Sequence, residues 1–289
     1  MLVTVKDLLD EAEKKTCAIG AFNVPNLESL RGVIQAAEEL QSPIIIQHAE
    51  VHENLISIEE IGPIMIDYAK RASIPVAVHL DHGASLEECI KAIRIGFTSI
   101  MYDASLKDYE KNLSETKELV KIARSVNVSV EAELGEMSNS SIGGGEGRVS
   151  KESDLGNPDL FTDPKQAKDF IDYTGVDSLA ISFGTVHGKY LSEPNLDFDR
   201  VKAIRESTKK APLVMHGGSG VSEHDYKKAI NSGIRKINYY TYMNLAAGNS
   251  IKTMSSNTTK ENFFDEFSLT ATAAVKENVK SVLRIFNNN

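Results

Sequence analysis

Four of the seven histidines stand in short polar segments that follow apolar runs. They are His79 and His82 in His79-Leu80-Asp81-His82-Gly83, His187 in Gly184-Thr185-Val186-His187-Gly188, and His216 in His216-Gly217-Gly218-Ser219-Gly220. Carboxylates occupy similar places at Asp81, Asp103, Glu131 and Glu133. Three imidazoles brought together from different segments, with water or substrate completing the shell, make an open zinc site. A lone histidine at such a place is more often a hydrogen-bonded structural residue, but the coincidence of His82, His187 and His216 favours ligands. His79 shares a strand face with Asp81 and is read as orienting its neighbours, outside the ligand set. The segment after His216 carries a second signal. Gly217, Gly218 and Gly220 let backbone N–H groups approach an anion, and Ser219 and Thr241 can add hydroxyls, which together suit a phosphate.

These groups need a frame that gathers them at one end. Apolar runs rich in β-branched residues predict strands at Cys17–Asn23, Pro43–His48, Pro75–Asp81, Thr98–Asp103, Val128–Leu134, Asp177–Gly184, Pro212–His216 and Ile234–Tyr239. Val76–Leu80 and Leu179–Phe183 are nearly continuous in apolar residues, as parallel strands buried on both faces are. Helix-period segments separate the strands; Leu27, Leu30, Val33, Ile34, Ala37 and Leu40 fall on one face. Ser57 with Glu60, Ser85 with Glu88 and Ser222 with Asp225 have capping-box spacing, and Gly96, Gly175 and Gly233 stand where helices need a left-handed terminus. Eight strands alternating with helices predict a (β/α)8 TIM barrel over a doubly wound open sheet, and in that barrel the catalytic groups lie at the C-terminal strand ends. The barrel is expected over about 17–245 within one domain spanning 1–289, with a helix at Thr4–Lys15 before it and a helical extension over about 246–289.

Composition narrows the class. A chain of 289 residues with 41% hydrophobic residues fits one barrel of roughly 250 residues plus extensions. A net charge of −9 argues against nucleic acid or an anionic membrane as partner. Cys17 and Cys89 do not suggest a disulfide framework, and no apolar run approaches the ~20 residues of a membrane span. A cytoplasmic protein is expected.

The ordered motifs resemble those of the class II fructose- and tagatose-bisphosphate aldolases: His79–Gly83, Glu131-Ala132-Glu133-Leu134-Gly135, Val186-His187-Gly188-Lys189-Tyr190 and His216–Gly220, with Gly20-Ala21-Phe22-Asn23 early and Lys236-Ile237-Asn238 late. The resemblance runs over roughly residues 1 to 245. It implies zinc on His82, His187 and His216, with Glu133 and Asp103 at an alternative or second metal site. Asp81 is implied to handle the proton of the C4 hydroxyl, Glu146 to exchange a proton with C3 of dihydroxyacetone phosphate, and Asn238 to help hold the enediolate. Asn23, Gly188, Gly217, Gly218, Ser219 and Thr241 are implied in substrate and C1-phosphate contacts, with a monovalent cation (Na+ or K+) nearby. A phosphorylated sugar as substrate, a place in glycolysis and a homodimer or homotetramer are further implications. With a metal in this role Lys236 has no need to form a Schiff base.

Four departures from the family bear on substrate. The loop Met137–Thr162 is longer than usual. Ala49 stands where the family often has Ser, with His48 and His52 nearby, either as a remodelled substrate contact or as packing residues. Tyr239-Tyr240 replaces smaller or acidic residues. Asp265 aligns with an Arg that grips the distal phosphate, for which Arg284 or Arg148 are the available substitutes. The expected reaction is reversible cleavage of fructose or tagatose 1,6-bisphosphate to dihydroxyacetone phosphate and glyceraldehyde 3-phosphate. The alternatives are a dihydroxyacetone-phosphate-dependent aldolase with another aldehyde, a non-catalytic sugar-phosphate-binding protein and a metal-dependent hydrolase on the same barrel.

Overall fold

The computed structural model describes residues 1–143, 157–209, 211–256 and 261–287. Its elements, in chain order, are α1 (Val5–Lys15), β1 (Ile19–Asn23), α2 (Leu27–Glu39), β2 (Ile44–Ala49), α3 (Ile58–Arg71), β3 (Val76–Gly83), α4 (Leu86–Ile95), β4 (Ser99–Tyr102), α5 (Tyr109–Ser125), β5 (Ser129–Leu134) and β6 (Ser138–Asn139). Then come α6 (Pro164–Thr174), β7 (Ser178–Ile181), β8 (Val186–His187), α7 (Phe198–Thr208), β9 (Leu213–Met215), α8 (Glu223–Ser232), β10 (Ile234–Tyr239), α9 (Thr241–Ser255) and α10 (Phe264–Phe286). All eight predicted strands form, and they close as a parallel barrel in the order β1-β2-β3-β4-β5-β7-β9-β10. This is the (β/α)8 barrel that the alternation of strand and helix predicts. The predicted limits run long mainly at Asp177–Gly184, where β7 stops at Ile181 and the chain turns away toward β8.

Alternation along each strand sorts its residues. On β3, Val76, Val78 and Leu80 pack in the large cluster between barrel and helices, while Ala77 joins a separate cluster inside the barrel. That inner cluster unites Ile19, Ala21, Ile45 and Ala77 with Val5, Leu8, Leu9 and Ala12, the apolar face of α1. The first helix thus plugs the end of the barrel where the strands begin. Thr4 and Asp7 close its capping box, and Thr16 ends it in the left-handed conformation. With that end sealed by apolar side chains, the polar interior residues are confined to the opposite half.

Local signals behave as the sequence implies. Ser57 and Glu60 form a full capping box on α3, whereas Ser85 and Ser222 accept from the third helical N–H without the return bond to their own backbone N–H. Gly96, Gly175 and Gly233 all have positive φ at helix ends. At the other terminus α10 lies along α2, pinned by Lys276 and Lys280 to Glu39. Its last turn reaches the start of β1, where Ala18 N–H donates to the Phe286 carbonyl at 3.0 Å. Among the described residues no helix is long and apolar enough to cross a membrane.

Candidate active site

The C-terminal half of the barrel gathers the polar strand ends. On β3 the register against β4 shifts between Leu80 and Gly83, and His82 has a φ of 49°. Strands normally send consecutive side chains to opposite faces; this irregularity lets both Asp81 and His82 serve the interior. A left-handed backbone at a histidine is strained, and here the strain sits at the centre of the site.

His82, His187 and His216 come together. Their rings are 4.7 to 5.8 Å apart between centroids, and one ligand atom from each lies within 4.8 Å of the others. His82, Asp103 and Glu133 form a second such group. Each of two rings is oriented from behind. His82 Nδ1 lies 2.8 Å from Asp103 Oδ2, and His216 Nε2 lies 3.0 Å from Glu131 Oε1. Burial would raise both carboxyls, but His82 and Ser105 hold Asp103 below the usual carboxylate range, and Lys236 with His216 does the same for Glu131. Ionised carboxylates only accept, so they fix the proton on the outer nitrogen of each ring. The inner nitrogens, His82 Nε2 and His216 Nδ1, stand 2.9 Å apart. With both rings neutral these nitrogens present lone pairs to each other, an arrangement that a shared cation relieves. Burial also pushes His187 and His216 below the ordinary imidazole range, which keeps them in the form that binds metal. Glu133 agrees: burial, then Asp103, pushes its carboxyl well up, and its Oε2 is buried with no hydrogen-bond partner. The donor set therefore fits a divalent metal of zinc's preferences.

Asp81 lies beside this cluster, fully buried. Asn238 Nδ2 donates to its Oδ1 at 3.0 Å, while Asn23 Nδ2 and Gln47 Nε2 each donate to its Oδ2 at 2.9 Å. Burial opposes ionisation of Asp81, but His82, His216 and Lys236 outweigh it and hold the carboxyl below the usual range. Asp81 is thus an oriented, ionised carboxylate within the polar end of the barrel.

Next to it a cavity of about 200 Å³ is lined by Asn23, His187, Gly188, Gly217, Gly218, Ser219, Asn238 and Thr241, with Gly143, Val51, His52, Tyr239 and Tyr240 completing its wall. Asn23, Gly188, Gly217, Gly218, Ser219 and Thr241, expected to contact substrate or phosphate, line this one space together with Asn238, whereas Gly220 of the same loop does not. The glycine loop is shaped by its surroundings. Gly217 has a φ of +63°, and a Cβ there would lie 2.3 Å from the Val186 carbonyl oxygen. Tyr190 ties this loop to the His187 strand, donating from its hydroxyl to the Gly217 carbonyl at 2.9 Å while accepting from Val186 N–H.

These features coincide with a family-wide match. The profile described as "Fructose-bisphosphate aldolase class-II" matches residues 3–289. The chain belongs to the class II fructose-bisphosphate aldolase family. Among its relatives, the fructose-bisphosphate aldolase of Staphylococcus aureus is 36% identical over 99% of this chain and 97% of that one. The probable fructose-bisphosphate aldolase of Bacillus subtilis is 39% identical over 87% and 85% of the two chains. The crystal structure of the YdjI aldolase from Escherichia coli K12 superposes with a TM-score of 0.86 at 37% identity, covering 99% of this chain and 97% of that chain. The chain is accordingly a class II aldolase, an aldehyde-lyase.

Several positions of this aldolase qualify or escape the sequence reading. Glu146 and Arg148 lie outside the described residues. Arg284 sits near the end of α10, at the N-terminal end of β1, which is the wrong end of the barrel to meet a substrate. Asp265 is exposed in the first turn of α10. Lys236 is fully buried with its Nζ 2.9 Å from Glu131 Oε1, so its amine serves an ion pair. His79, set aside as an orienting residue, bonds Ser99 Oγ through Nδ1 at 2.8 Å. Sequence reasoning missed Gln47 as a partner of Asp81 and Glu131 as the support of His216. The signal for both was a polar residue on the interior face of a buried strand, where an unpartnered polar group is costly. It also missed the two-stranded β6–β8 sheet, whose bonds, with that from Ser140 N–H to the His187 carbonyl at 2.8 Å, fix the segment carrying His187.

Proposed function

We infer that this aldolase reversibly cleaves a ketose 1,6-bisphosphate, fructose or tagatose, to dihydroxyacetone phosphate and glyceraldehyde 3-phosphate, using zinc on His82, His187 and His216. The observation that carries the reading is the single cavity that joins the glycine-rich loop, the edge of the three-histidine cluster and the amide partners of Asp81. Zinc in that cluster supplies Lewis-acid stabilisation of the charge that develops on the C2 oxygen as the C3–C4 bond breaks. Asp81 takes the proton of the C4 hydroxyl, and its three amide donors keep the carboxylate aimed and ionised until then. Asn238 presents its amide to the same region and helps hold the enediolate oxygens. Gly188, Gly217, Gly218, Ser219 and Thr241 cradle the C1 phosphate, with a sodium or potassium ion as an added counter-charge. Glu146 returns the proton to C3. Asp103 and Glu133 offer the metal a second position with His82.

In this reading the enzyme is a cytoplasmic homo-oligomer, dimer or tetramer, acting as a single barrel domain on a phosphorylated sugar. A second reading keeps the metal and the C1 phosphate but takes another aldehyde. It is favoured by Arg284, which sits at the opposite end of the barrel, and by the acidic Asp265 at the position aligned with the family's phosphate-binding Arg. Two substitutions test the assignment. Asp81→Ala retains zinc but loses about 10²–10⁴-fold in turnover, and His216→Ala loses bound zinc in elemental analysis. An Asp81→Ala protein that cleaves at the parent rate removes the proposed base. Equal zinc in His216→Ala and parent removes the ligand assignment.

A further inference from the structure

Four tyrosines ring the glycine-rich loop that follows β9, one at each of its residues. The Tyr190 hydroxyl, just beyond β8, donates to the Gly217 carbonyl at 2.9 Å. The Tyr226 hydroxyl, on α8, donates to the Gly218 carbonyl. Tyr240 N–H donates to Ser219 Oγ at 2.9 Å. Tyr242, in the first turn of α9, packs so closely on Gly220 that a Cβ there would lie 2.7 Å from its ring. The loop is therefore gripped from three elements before any anion arrives.

Two of these contacts fix which way peptide groups point. Gly217 and Gly218 line the active-site cavity, but Tyr190 and Tyr226 do not. Tyr190 lines a separate cavity with Leu191 and Pro194. Tyr226 is 2% exposed within the cluster between barrel and helices, its ring 5.0 Å from that of Phe286. Both hydroxyls thus draw carbonyl oxygens away from the cavity. A trans peptide is planar, so its N–H points opposite to its C=O. In the peptide joining Gly217 to Gly218, the N–H is already taken by the Asn238 carbonyl at 3.0 Å. In the next peptide, the hold of Tyr226 on the Gly218 carbonyl turns Ser219 N–H toward the cavity that Ser219 lines. Val221 N–H reaches the same carbonyl oxygen at 3.3 Å, a longer bond that closes the turn. Were this peptide to flip, it would present a carbonyl oxygen to the phosphate, and like charges repel. Burial, then Tyr239 and Tyr190, push the Tyr226 hydroxyl well above the ordinary phenol range, so at neutral pH it stays a donor.

We propose that Tyr226 is a positioning residue for the phosphate site: its hydroxyl, donating to the Gly218 carbonyl from the core side, presents Ser219 N–H to the C1 phosphate. The inference rests on the aldolase reading and deepens it. Tyr226 belongs to none of the strand-end motifs, and it acts through the loop without touching substrate or metal.

The test uses the full, zinc-loaded chain and Tyr226→Phe, which keeps the ring against Phe286 and removes only the hydroxyl. Binding of glycerol 3-phosphate, read by calorimetry, should weaken about tenfold, the worth of one hydrogen bond to a charged group. KM for the ketose bisphosphate should rise by a similar factor, with kcat within about twofold of the wild type and zinc content unchanged. Leu9→Ala, at the far end of the barrel, separates this effect from a general loss of stability. It should unfold at lower denaturant yet bind glycerol 3-phosphate as the wild type does. Unchanged glycerol 3-phosphate affinity in Tyr226→Phe, or an equal loss in Leu9→Ala, overturns the proposal while leaving the aldolase reading intact. A wild type that does not bind glycerol 3-phosphate overturns the phosphate reading of the loop, and the role of Tyr226 with it.

Discussion

Replacing Glu131 by glutamine removes one negative charge from the interior of the barrel and changes little else in shape. Glu131 is fully buried and accepts from three donors: His216 Nε2 at 3.0 Å, Lys236 Nζ at 2.9 Å and Ser178 Oγ at 3.2 Å. An amide offers only one oxygen, so its NH₂ must face at least one of those donors. Two effects follow, and they separate. Lys236 is left buried without its ion-pair partner, which costs about 3–5 kcal/mol of stability. His216 loses the carboxylate that fixes its tautomer and raises its basicity, which weakens metal binding by roughly 10–100-fold. Adding Lys236→Met removes the orphaned cation, so the double variant should recover most of the stability but none of the metal affinity. Denaturant unfolding of the metal-free proteins reads the first effect, and zinc competition against a chelator reads the second. If Glu131→Gln binds zinc as tightly as the parent, the carboxylate does not support His216 as a ligand. If the double variant regains affinity together with stability, the loss was one of folding and Glu131 does not tune His216.

Other outcomes follow from the same structure. Leu9→Ala empties the α1 plug, where Leu9 is fully buried, and should lower unfolding free energy by about 2–5 kcal/mol with KM unchanged, since the plug is at the far end of the barrel; altered KM would mean the two ends are coupled. His79 is pushed down to about 3 by burial and then by Lys236. Its folded value lies below its unfolded one, so its contribution is present above about pH 6.5 and falls by about 1.4 kcal/mol per pH unit toward 3. His79→Gln should flatten the acid limb of the metal-free stability curve by that slope, and an identical limb in both proteins would contradict a buried neutral ring.

The barrel was legible because its strands are short apolar runs between capped, amphipathic helices, and those signals are local. Val76–Leu80 reads as a buried strand without reference to any other segment. The clustered histidines His82, His187 and His216 were legible for a related reason, since each stands in a polar segment at the end of such a run. What stayed hidden depends on neighbours distant in sequence. Glu131 finds its role only when β10 brings Lys236 and β9 brings His216 across the barrel, and Gln47 only when β1 and β3 flank it with Asn23 and Asp81. The register shift at His82 is equally invisible, because it exists only relative to β4. The two-residue strands β6 and β8 are too short to carry any periodicity.

The most direct test of the whole account is release of dihydroxyacetone phosphate from fructose and tagatose 1,6-bisphosphates, measured before chelation, after it and after zinc is restored. Cleavage of at least one sugar, abolished by chelation and restored by zinc, is the expected result. Cleavage that persists at the full rate without metal would contradict the role given to His82, His187 and His216.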